Sequence, residues 1–140
     1  METYIGIDIS KKTFDIYMTT NQKHKSFKYT EANIKECVQW FDSLLPSLIV
    51  MEATGGYETP LASALIAKGL PVKVMNPRRI RDFAKAKGQL AKTDKIDARI
   101  IAEYGETFNP PPQKEIDEIS IKIKRTAMTR AKMAADSATA

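Results

Sequence analysis

An α/β domain on a mixed five-stranded sheet, flanked by helices, is what this sequence predicts, and three observations carry the prediction. The chain opens with short alternating segments separated by polar turns. A helix with a single apolar stripe follows them. A strand, helix, strand unit comes next, with a continuous apolar run as its first member.

Each element has a local reason. Tyr4-Ile5-Gly6-Ile7-Asp8-Ile9 is short and β-branched, and Thr13–Met18 repeats that style after a turn at Ser10-Lys11-Lys12. A third strand over Lys25–Thr30 follows the turn Thr20-Asn21-Gln22, which makes the three an antiparallel meander. Ile34, Val38, Phe41 and Leu45 recur at i, i+4, i+7 and i+11, predicting a helix from Glu31 to Leu44 that ends at Pro46. Ser47–Glu52 is too short for a typical helix and almost wholly apolar, as a strand buried on both faces would be. A helix from Thr59 to Lys68, closed by Gly69 and Pro71, leads to a strand at Val72–Met75, so these two strands should pair in parallel through a right-handed crossover. Pro77 opens a helix that turns Ile80, Phe83 and Ala84 inward and its arginines outward. Thr93 is the expected N-cap of a last helix reaching Tyr104. Pro110-Pro111-Pro112 then divides residues 1–109 from residues 110–140, expected to begin a helical extension of a longer protein.

Composition narrows the function. With 140 residues, 43% hydrophobic and 28% charged, the chain has room for one domain and an appendage but not for a two-lobed enzyme. Its single cysteine, Cys37, excludes an internal disulfide and a cysteine-based zinc cluster, and makes a reducing cytoplasm the expected compartment. No apolar run approaches the roughly 20 residues of a membrane span, and no signal peptide is expected. The formal charge is +5, and Lys73 to Arg99 holds nine basic residues against three acids, so the remainder nets −1. Such a segment is either a solvated face or a surface for a polyanion.

Four carboxylates stand in awkward places. Asp8 lies in the opening strand, where an unpaired charge is costly, and Glu52 ends the buried run. If those strands are neighbours, about 4.8 Å apart, both acids reach one edge of the sheet. Asp94 fits the first turn of the last helix, where the dipole favours an acid. At about 100° per residue, Asp97 then falls on that helix's apolar stripe with Ile101 and Tyr104, facing the body of the domain. A buried pair with an arginine would explain it structurally. Alternatively, an all-oxygen set suits Mg2+ or Mn2+, and a pair of such ions can activate a nucleophile and stabilise a leaving oxygen of a phosphodiester.

The stretches Gly6-Ile7-Asp8-Ile9-Ser10-Lys11, Met51-Glu52-Ala53-Thr54-Gly55, Asn76-Pro77 and Lys92-Thr93-Asp94-Lys95-Ile96-Asp97-Ala98 resemble the amino-terminal domain of the DEDD transposases of the insertion sequence 110 family, relatives of the Piv-type DNA invertases. The resemblance implies a RuvC-like, ribonuclease H-like fold with Asp8, Glu52, Asp94 and Asp97 as a metal-binding catalytic tetrad. It further implies DNA recombination or transposition next to the prokaryotic nucleoid, guided in some members by a structured RNA, with the full-length protein a homo-oligomer. Arg78, Arg79, Arg81, Lys85, Lys87, Lys92, Lys95 and Arg99 are then the expected nucleic-acid contacts. Members carry a second domain with a nucleophilic serine, which this chain is expected to lack, so a nucleic-acid-binding module without chemistry is the alternative. A phosphotransferase of the actin and sugar-kinase fold also tends to open on I-G-I-D, but its second phosphate loop has no counterpart in this sequence.

Overall fold

In the computed structural model, residues 2–88 and 96–114 are described. The elements run β1 (Tyr4–Ile9), β2 (Thr13–Met18), β3 (His24–Lys28), α1 (Glu31–Leu44), β4 (Leu48–Glu52), α2 (Thr59–Ala67), β5 (Val72–Met75), α3 (Pro77–Ala86) and α4 (Ala98–Phe108). The five strands form one sheet in the order β3-β2-β1-β4-β5. The meander and the parallel pair of β4 and β5 form as the sequence predicts, and β1, antiparallel to β2 and parallel to β4, joins them as the central strand.

Alternation along the strands divides the core. Ile5, Ile7 and Ile9 of β1 face one side with Ile49 and Met51 of β4, where they meet Cys37 and Phe41 of α1 and Leu61 and Leu65 of α2. Tyr4, Leu48 and Val50 face the other side, against Ile80 of α3 and Ile100, Ile101 and Tyr104 of α4. β4 has neighbours on both edges and helices on both faces, hence its uninterrupted apolar run, Leu48 to Met51 being at most 1% exposed.

Boundaries follow from capping. β3 ends at Lys28, earlier than its predicted end at Thr30, because Thr30 serves α1 as N-cap, accepting a hydrogen bond from Asn33 N at 3.1 Å. At the other end Leu45 takes the left-handed conformation at φ 48° and closes α1 before Pro46. After the triple proline the chain returns to the sheet: Gln113 N donates to Val72 O at 2.8 Å, and its side-chain oxygen accepts from Val74 N. Among the described residues no helix is long and apolar enough to cross a membrane.

Candidate active site

Register brings the first two acids together. Ile7 of β1 lies beside Met51 of β4, so one residue further Asp8 stands beside Glu52. Asp15 of β2 lies directly opposite Asp8 on its other side. Alternation from Tyr4 and Val50 puts all three on the α4 face, in a row at the carboxyl ends of β1 and β4. The Asp15 carboxylate accepts from Ser26 Oγ at 2.6 Å. Glu52 is half-buried, and its carboxyl is raised above the usual carboxylate value, first by desolvation and then by the charge of Asp8, with Arg81 opposing the rise.

The last helix begins later than predicted, and this corrects the placement of Asp97. α4 starts at Ala98 with Asp97 as its N-cap, the Oδ1 atom accepting from Ile100 N at 2.9 Å. Asp97 is therefore exposed at the mouth of the helix and not on its apolar stripe; Ile96 and Ala98 on either side are the buried ones. The cap explains the shift, since aspartate holds the orphan amides of a first turn better than Thr93 would. Thr93 and Asp94 lie outside the described residues, as do Lys92 and Lys95.

A glycine fixes where α4 lies. A Cβ on Gly6 would fall 2.1 Å from Ala98 O and 2.4 Å from Ala102 N, so the helix rests directly on the β1 backbone. Gly105, a turn beyond Ala102, lies over the Val50 side chain, whose Cγ2 a Cβ there would meet at 2.6 Å, and beside Tyr4. α4 therefore runs antiparallel to β1, and its N-terminus, where the dipole is positive, points to the edge that carries Asp8 and Glu52. Three of the four predicted acids thus share one edge. Among the described residues, no group of three or more His, Cys, Asp or Glu side chains is close enough to hold a metal ion. The pair fits a hard cation in its chemistry: two adjacent carboxylates, one partly desolvated, repel less with an ion between them.

The basic residues are divided in their engagements. α3 follows β5 directly, so its N-terminus, capped by Asn76 Oδ1 accepting from Arg78 N at 2.9 Å, stands at the same edge. Arg78, Arg79 and Lys85 are exposed, while Arg81 is half-buried within electrostatic reach of Glu52. Lys87 and Arg99, also predicted as nucleic-acid contacts, both bind Glu103, at 3.2 and 3.1 Å.

Sequence reasoning missed Glu58, the one buried charged side chain among the described residues at 5% exposure. Its carboxylate accepts from Thr54 N at 3.1 Å, Thr54 Oγ1 at 3.3 Å and Gly56 N at 3.0 Å, fastening the loop that leaves Glu52. Gly55 and Gly56 permit that loop, with φ of 71° and 115°. An acid just before a helix start ordinarily reads as a solvated cap, so no sequence signal set Glu58 apart.

The family described as Transposase, the DEDD transposases of insertion sequence 110, matches residues 5–140. The pilin gene-inverting protein of Moraxella lacunata is 34% identical over 128 residues, covering 87% of this chain and 40% of that protein. Its counterpart in Moraxella bovis matches to the same extent, so the chain spans about two-fifths of the length of these relatives. Among solved structures, T. thermophilus RuvC in complex with a Holliday junction substrate overlays with a TM-score of 0.55 at 13% identity, covering 81% of this chain and all of that one. The fold is therefore RuvC-like.

Proposed function

Because this chain belongs to the DEDD transposase family of insertion sequence 110, we propose that it is the metal-binding catalytic portion of a DNA recombinase. Asp8, Glu52, Asp94 and Asp97 hold Mg2+ or Mn2+, and Arg78, Arg79, Arg81, Lys85, Lys87, Lys92, Lys95 and Arg99 bind the phosphate backbone. One observation carries the reading: Asp8 stands beside Glu52 on the edge to which α4 brings Asp97. When bound, the ions supply Lewis-acid stabilisation of charge on phosphodiester oxygens. Glu58 keeps the loop after Glu52 in place, and Arg81 offsets part of the local negative charge. The nucleophile belongs to the second domain of the longer family members, so a complete strand transfer needs that domain as well. The basic face also fits a structured guide RNA, and the full-length protein acts as a homo-oligomer on cytoplasmic, nucleoid-associated DNA.

Metal linkage tests the reading. Titrating Mg2+ or Mn2+ into the chain raises its melting temperature by ligand linkage. Asp8→Asn removes the rise, and so does Asp97→Asn, which retains the helix cap because asparagine caps as well as aspartate. No shift with either cation would sink the proposal.

A second reading is a nucleic-acid-holding module with no chemistry of its own. It is favoured by the spacing of the acids: among the described residues no three lie close enough together to hold one metal ion. Incubating branched and linear DNA with the chain and metal separates the two: strand cleavage supports the first, salt-sensitive binding without cleavage the second.

A further inference from the structure

Every cation assigned above lies from Arg78 onward. On the opposite flank of the acids, we infer that Lys11, Lys12 and Lys28 form a second phosphate-contacting row for the same nucleic acid. This rests on the reading under Proposed function and extends it to residues outside the basic segment.

Topology gathers the three. β1 ends at Ile9 beside the acids, the chain turns over residues 10–12, and β2 begins at Thr13. Thr13 pairs with Lys28, the last residue of β3, so the lysine that is distant in sequence arrives beside the turn. The turn is held firmly: Ser10 N donates to Thr13 O at 2.9 Å, Thr13 N donates to Ser10 Oγ at 3.2 Å, and Tyr29 N donates to Lys12 O at 2.8 Å. All three lysine side chains are exposed. A fixed backbone under mobile cationic tips suits recognition of phosphate as a point charge.

Lysines on an edge strand ordinarily guard it against pairing with another chain. That account serves Lys23 and Lys25, whose Nζ atoms each lie 5.3 Å from the centre of the Trp40 ring, on the α1 side of the sheet. It does not serve Lys11 and Lys12, which stand in a turn with no open ladder to guard. Among the described residues, none of the three joins an ion pair, whereas Lys87 and Arg99 are held by Glu103.

Position relative to the acids gives the row its role. Arg78 and Arg79 open α3 where it leaves the end of β5, and the lysines stand at β2 and β3, three or four strands from β5 in the order β3-β2-β1-β4-β5. At about 4.8 Å per strand the flanks are about 14–19 Å apart, too far for one phosphate to touch both. The two rows therefore hold different phosphates, and a chain of phosphates between them crosses above Asp8 and Glu52. Cations on both sides offset the repulsion that those acids exert on the polyanion.

The test is the salt dependence of DNA binding by the chain, followed as fluorescence anisotropy of a labelled duplex. Each lost phosphate contact lowers the slope of log K against log salt by about 0.9. Lys11→Ala with Lys12→Ala should lower the slope by about 2, and adding Lys28→Ala by about 3, with melting temperatures unchanged. Lys23→Ala with Lys68→Ala, at the opposite edge of the sheet, should leave it unaltered. Retention of the full slope by the triple variant, while Arg78→Ala with Arg79→Ala lowers it, overturns this inference and leaves the proposed function standing. Absence of salt-sensitive binding by the unaltered chain overturns both.

Discussion

The two faces of β1 differ along its length, and the difference locates the row of acids. On the α1 and α2 side Ile5, Ile7 and Ile9 are all buried, so packing continues to the end of the strand. On the α4 side Tyr4 is packed, Gly6 yields its space to helix backbone, and Asp8 stands in a row with Asp15 and Glu52. One face is given wholly to stability. The other is apolar only up to the point where α4 begins, and its acids are tolerated because the first face holds the fold.

Substitutions that break this division should act in descending order. Phe14→Ala empties a wholly buried site on the packed face and should destabilise the chain by about 3–5 kcal/mol in urea unfolding. The midpoint of Mg2+ stabilisation should stay where it was. Gly6→Ala sets a methyl against α4 backbone that cannot swing aside; it should cost about 3 kcal/mol and also weaken the metal response, since α4 carries Asp97 away with it. If the midpoint of metal stabilisation moved with Phe14→Ala and not with Gly6→Ala, the division between faces would be wrong.

Asp97→Ala comes next, with about 1 kcal/mol lost through the cap to Ile100 N. Calorimetry against Asp97→Asn separates that cap from the charge. Smallest is the effect of Glu52. Its carboxyl is raised from 4.5 by desolvation and by Asp8, so the folded chain keeps this proton at a pH where the unfolded chain has released it. In metal-free buffer its contribution therefore favours folding at low pH, and that advantage is lost as pH rises through the raised value. Glu52→Gln should flatten this slope and bring a gain at pH 7 that screening of a half-exposed side chain keeps well below 1 kcal/mol.

The fold was legible because each strand announces its surroundings. Alternation marked β1 and β2, the unbroken run Leu48 to Met51 marked a strand covered on both sides, and Gly69 with Pro71 closed the crossover helix. Asp8 and Glu52 were legible for the same reason, as acids at the ends of apolar strands. Asp97 was misplaced because a helical wheel started at Asp94 assumes the helix has already begun. A better signal was present: Ile96 precedes the cap and Ile101 lies in the first turn and a half, and the two share one core cluster, the pairing that fixes a helix entry. The lysines of the second flank were invisible as a group, since only the antiparallel register of β2 and β3 brings Lys28 to Lys11 and Lys12.

Gln113 has a consequence for whatever polypeptide succeeds it. Its two bonds to Val72 and Val74 moor the chain to the outer border of the sheet just past the triple proline. Gln113 lies outside β5, three strand spacings or roughly 14 Å from β1, and its partner Val72 is level with Ile5 through Ile49, three residues short of Asp8. A reactive group delivered from this mooring to the acids therefore has to pass β5 and β4 and climb roughly 10 Å along the strands.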